Sequence, residues 1–229
     1  MSDLMNIAII FLAGLIQSSL QLSFGALILL YHSSISKHYK KTTRRLSRSY
    51  VIGCGVMSFL AVGCTAFLIS VLNQGAMSTQ TLIVLIGALL ASALIMWFFY
   101  FRKGDRTELW LPRSFARFIS GRARKTNDPI EAFSLGVVSS FAEMPISLAL
   151  YITSANAILQ LNGSLQVAGL IVFAALAILP LVVLKIRMKT GRNVVDAQRW
   201  RVQNKAFLKI ISGIGFITLA ATIFSFWVI

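Results

Sequence analysis

The chain has 229 residues, 57% of them hydrophobic, with a mean hydropathy of +0.78. That apolar share exceeds what a soluble domain carries and points to a membrane protein. The formal charge of +15, from 22 Lys and Arg against 7 Asp and Glu, would suggest nucleic acid in a soluble chain, so the placement of the charges decides their meaning.

A membrane-crossing helix needs about 20 mostly apolar residues at about 1.5 Å each. Six segments meet that length: Ile7 to Tyr31, Val51 to Leu72, Leu82 to Phe101, Ile130 to Ile158, Val167 to Ile186 and Phe207 to Ile229. The first follows "MSDLMN", with an acid where a signal peptide needs basic residues, and reads as a retained transmembrane helix. It carries Gln17 and Gln21 one turn apart. His32 and His38, at or beyond its inner end, are too isolated for a metal site. The second span holds the two cysteines, Cys54 and Cys64, whose placement builds neither a disulfide framework nor a zinc site. Between the third and fourth spans, "WLPRSFARFISGRARK" sets Trp110, Leu111, Phe115, Phe118 and Ile119 among arginines, the pattern of a helix lying at the membrane interface.

The fourth span is the longest. As a straight helix its 29 residues would cover about 43 Å, more than the hydrocarbon core of about 30 Å, so it must tilt, protrude or break. Pro145 marks the expected break, because it lacks an amide hydrogen and crowds the Phe141 carbonyl. Tyr151 and Asn156, toward the outer end of this span, read as interfacial. The fifth span contains Pro180, a possible bending point.

All 22 basic residues fall in three connections, 6 from Lys37 to Arg48, 8 from Arg102 to Lys125 and 8 from Lys185 to Lys209. The connections "NQGAMSTQ" and "LQLNGSLQ" have none. Cytoplasmic loops retain Lys and Arg, so the alternation places the basic loops inside and both termini outside. Topology and attraction to anionic lipid headgroups account for the charge, and no recognition helix or aromatic interleaving argues for nucleic acid.

Residues 1–101 and 130–229 each hold three spans, flanking the basic connector 102–129, so related halves would be an inverted repeat. A shift of 122 positions sets Gly14 on Gly136, Ser18 on Ser140, Gln21 on Glu143 and Gly25 on Ser147. Their spacing follows one helical face, which serves either close packing or a polar cavity.

Apart from Glu131 in the first turn of the fourth span, Glu143 is the only acid inside any span. Even low estimates for a charge at mid-membrane are about 2.5 to 3.5 kcal/mol, a cost with little purpose in packing alone. It is relieved by protonation, by a cation or by hydrogen-bond donors. Ser139 and Ser140 lie one turn away, the Phe141 carbonyl is freed by Pro145, and Gln17 and Gln21 offer donors and acceptors.

The six spans in two groups of three, the stretch "GVVSSFAEMP" and the closing helix "LKIISGIGFITLA" resemble the lysine-exporter superfamily, including the membrane unit of cytochrome c biogenesis thiol transporters. The resemblance implies transport of amino acids, metal cations or other small solutes. Its thiol-carrying branch uses one cysteine in each half. Neither the first nor the fourth span has one here, which argues against electron transfer. The first span also departs from the pattern, with Ser23 where a proline paired with Pro145 would stand.

The expectation is an all-α polytopic membrane protein of six helices in two inverted repeats, the fourth broken at Pro145, in a bacterial cytoplasmic membrane. The expected function is a small proton-linked exporter using Glu143, Ser139, Ser140, Phe141, Gln17 and Gln21, with Pro145 and Pro180 as hinges. Gly14, Ser18, Gly25, Gly136 and Ser147 form its packing face. The sequence implies neither a cofactor nor an enzyme. A non-transporting subunit that scaffolds a partner through its basic loops, and self-association, are the alternatives.

Overall fold

Hydrocarbon supplies no partner for a backbone amide, so long apolar segments satisfy their own polar groups as helices. In a computed structural model of the protein, residues 3–20, 23–37, 40–73, 77–100, 113–189 and 203–228 are described, and among them there are helices and no strands. We number them α1 (Asp3–Leu20), α2 (Ser23–Lys37), α3 (Lys40–Asn73), α4 (Thr79–Ile95), α5 (Arg113–Lys125), α6 (Pro129–Ala142), α7 (Met144–Leu159), α8 (Gly163–Lys189) and α9 (Lys205–Ile223). Both α4 and α9 run on into a π-helical turn, Met96–Tyr100 and Phe224–Val228. Five helices are long and apolar enough to cross a membrane, or six if the bent pair α6 and α7 is one span.

Three features refine the expectations. The first span is described as α1 up to Leu20 and α2 from Ser23, with Gln21 and Leu22 outside the described residues. The basic stretch before the second span is helical from Lys40 onward. The 34 residues of α3 therefore reach about 51 Å, and the end bearing Arg44, Arg45 and Arg48 projects beyond a hydrocarbon layer of about 30 Å. Pro180 lies inside an uninterrupted α8.

Helix α7 is the centre of the bundle. It packs on α1, α3, α4 and α8, and from Ser147 to Ile158 nearly every residue is buried. Its Ser, Thr, Ala and Asn side chains let neighbours approach from all sides, which a Leu-rich helix would prevent. The outer surface is apolar instead, with Phe67, Leu72, Val84, Ile171 and Ile214 exposed. At the other end, α3 and α6 cross closely. A Cβ on Gly136 would meet the Tyr50 carbonyl, and one on Gly53 would meet that of Phe133. The Cys54 thiol donates to the Gly136 carbonyl across the same crossing at 3.3 Å. Helix α5 docks on α2 and α6, burying Ile119 and Ala123 while Phe118, Arg122 and Arg124 stay exposed.

Candidate functional site

The site is built where two helices stop. Without an amide hydrogen on Pro145, the bond to the Phe141 carbonyl cannot form, and α6 ends at Ala142. The chain bends by 80° between α6 and α7. The break thus falls at Glu143, two residues before the proline, while Pro145 sits in the first turn of α7, where a missing N–H leaves nothing unpaired. The Glu143 amide donates to the Ser140 carbonyl at 3.1 Å, and the Glu143 carbonyl accepts from Ile146 and Ser147, each at 3.1 Å.

The Glu143 side chain is buried, with 3% of its surface exposed. Its Oε1 accepts the backbone amide of Ser23 at 2.7 Å and the Ser23 hydroxyl at 2.5 Å. Ser23 is the first residue of α2, so the acid at one helix break holds an otherwise unpaired amide at the start of another helix. The positive end of α2 and a donated hydroxyl suit a carboxylate, and hydrogen bonds to charged groups contribute about 1.5 to 3 kcal/mol each. Tyr50 of α3 closes the arrangement, its hydroxyl donating to the Ser23 carbonyl at 3.0 Å.

Helix α7 carries the site away from the break. The Gln17 amide donates to the Tyr151 hydroxyl at 3.5 Å, and the Tyr151 ring stands edge-on to Phe173 with centroids 5.9 Å apart. Tyr151 and Asn156 are buried within the bundle, and the Asn156 side chain accepts the Met77 amide at 3.1 Å. Both are enclosed because α1, α3, α4 and α8 pack around α7, which leaves Leu148 exposed near its start but buries every residue from Thr153 to Ile158. Gln17 Oε1, Ser139 Oγ and Ser147 Oγ are buried with no hydrogen-bond partner. Each such group costs about 1 to 3 kcal/mol if nothing binds it.

Of the residues singled out in the sequence, Glu143, Ser139, Ser140, Ser147 and Gln17 are all buried around α6 and α7. Gln21 lies outside the described residues, as do His38, Trp110 and Leu111. The Phe141 side chain is exposed, leaving only its carbonyl for the site. Ser18 bonds the Leu15 carbonyl within its own helix at 2.7 Å. Gly14 abuts Leu176, whereas no atom lies within 4 Å of a Cβ built on Gly25. Sequence reasoning missed Ser23 and Tyr50. The shift of 122 did place Ser23 opposite Pro145, and serine is a preferred residue at a helix start; nothing in the sequence marked Tyr50. Among the described residues no cluster of three or more His, Cys, Asp and Glu side chains is suited to a metal. Comparison with protein-family models, curated proteins and solved structures gave no match.

Proposed function

We propose that the protein is a small secondary transporter, a proton-linked exporter of an amino acid, a cation or another small solute. It resides in a bacterial cytoplasmic membrane with both termini outside and the basic ends, which attract anionic lipid headgroups, inside. One observation carries the reading: a buried carboxylate at the break of one helix is bonded to the first amide of a half-helix in the other half of the chain. Broken helices that meet at mid-membrane are where transporters of this build hold substrates and coupling ions.

The two halves are an inverted repeat in this reading, as in the lysine-exporter superfamily that the sequence resembles. Its support is positional. The shift of 122 that pairs Gly14 with Gly136 also sets Ser23, whose amide meets Glu143, opposite Pro145. The packing of α1 on α8 corresponds to that of α6 on α3, and α4 pairs with its counterpart α9.

Glu143 takes up the proton or a cationic cargo. Loss of its charge weakens its hold on the start of α2, so the load on the acid and the position of the half-helix are coupled. Gln17, Ser139, Ser140 and the Phe141 carbonyl orient the solute, whose identity sets the cargo and leaves the proton step common. The test is proton flux into vesicles holding the purified protein and a trapped pH-sensitive dye. Glu143→Gln should fall to the rate of protein-free vesicles. Flux equal to the parent's, with the same pH dependence, refutes the transport reading and leaves a scaffolding subunit in its place.

A further inference from the structure

The buried polar groups without partners extend beyond Glu143 in both directions. On α3, Thr43 Oγ1 and Ser47 Oγ are buried and unpartnered. They precede Tyr50 and Cys54 at helical spacings of four, three and four residues, so all four share one face of α3. That face begins among Arg44, Arg45 and Arg48 at the basic end and arrives at Ser23 and Glu143 through the Tyr50 hydroxyl. Toward the opposite end, α1 and α7 pack together with their register pinned by Gln17 on Tyr151 and by Asn162 on Asp3. Here Asn6, fully buried, has neither side-chain atom bonded, and Ser154 Oγ is likewise unpartnered.

The two arms join opposite ends of the bundle. Thr43 to Cys54 and Asn6 to Gln17 each span 11 residues, or about 16 Å of helix, the first leading inward from the projecting basic end of α3 and the second from the start of α1. Apolar interiors leave no reason for unmet hydroxyls and amides at these intervals, whereas a chain of water molecules meets each with a hydrogen bond. Glu143 stands where the arms join.

We propose that Glu143 is reached by water and protons along two separate polar half-paths, one on the α3 face through Thr43 and Ser47 to the basic side, the other between α1 and α7 through Asn6 and Ser154 to the opposite side. The inference rests on the transport reading for its purpose and on the packing for its route. Tyr50 and Cys54 on α3 and Tyr151 on α7 are among the titratable groups that interact with Glu143. On α3 the basic groups stay at the mouth of the first path, where Arg44, Arg45 and Arg48 are exposed and Lys185 of α8 lies within electrostatic reach of Arg48. The route thus carries protons past hydroxyls and amides, with Glu143 as the relay acid between its arms and Asp3 near the outer end of the second.

Ser47→Cys and Ser154→Cys test the route, since each swaps one small side chain for another of the same shape. A positively charged, membrane-impermeant thiol reagent is applied to vesicles of known sidedness, and mass spectrometry reads the modification at each cysteine. Native Cys64, exposed on the outer surface of the bundle, is the internal reference for a thiol in lipid. A hydrated thiol reacts about tenfold or more faster than a desolvated one, because only the thiolate attacks. The expected result is modification of Ser47→Cys from the basic side only and of Ser154→Cys from the other side only. Labelling of both from one side, or of neither above Cys64 in monodisperse protein, overturns the two-path proposal. Glu143→Gln separates this from the transport reading: if it abolishes flux while both cysteines stay inert, the route falls and the reading stands; if both cysteines label while flux is unchanged, the reverse holds.

Discussion

The two helix breaks are built differently. In the second half the break is written into the backbone, because Pro145 removes the hydrogen bond that would continue α6, and the residue at the bend is an acid. In the first half no proline intervenes between Leu20 and Ser23, and the start of α2 is held from outside by Glu143. One break is local and the other borrowed. A single side chain therefore serves as the end of its own helix and as the cap of a helix more than a hundred residues away, which ties the geometry of the first half to the chemical state of the second.

The sharpest way to break that asymmetry is Glu143→Ala. It leaves the Ser23 amide and hydroxyl without their acceptor in a buried site, and two charge-assisted hydrogen bonds of about 1.5 to 3 kcal/mol each are at stake. We expect a loss of about 3 kcal/mol in detergent, measured by thermal or denaturant unfolding, with protection of α2 amides from hydrogen exchange reduced more than that of α6. Equal loss of protection in both helices would show that the first break does not depend on the acid.

The closeness of α3 and α6 sets the next effect. A methyl at Gly136 would run into the Tyr50 carbonyl, while one at Gly14 meets the Leu176 Cβ, likewise fixed by its backbone, at the longer distance of 2.9 Å. Gly136→Ala should cost about 1 to 3 kcal/mol by forcing the helices apart, and Gly14→Ala less. Comparing the unfolding midpoints of the two variants checks the order; a larger loss at Gly14 would reverse the assignment of the tighter crossing.

How much of this was legible beforehand follows from the same contrast. Membrane-length apolar helices, the basic ends and the break near Pro145 depend on local composition and on one residue's covalent structure, and the sequence carries both. The hold on Ser23 has no local cause, since its partner lies 120 positions away, so only the internal shift hinted at it. Tyr151 and Asn156 illustrate a second limit. Their types at a span's outer end are those of an interface, and only the packing of α1, α3, α4 and α8 around α7 makes them interior. Burial in a bundle is a property of neighbours, and helical period alone does not report how many there are.

Two milder substitutions sharpen the account of the borrowed cap. Ser23→Ala removes the hydroxyl donor and leaves the backbone amide bonded to Glu143, so the loss should be about 1 kcal/mol, less than that of Glu143→Ala by the share of the remaining amide bond. Gly25→Ala, two residues further along α2, meets nothing within 4 Å and replaces a residue with high backbone freedom inside a helix. It should therefore leave stability unchanged or raise it by up to about 1 kcal/mol. The pair is read by the same unfolding midpoints. If Gly25→Ala destabilises as much as Ser23→Ala, then α2 is held along its length by contacts on the Gly25 face, and the grip of Glu143 on its first residue is no longer what fixes it.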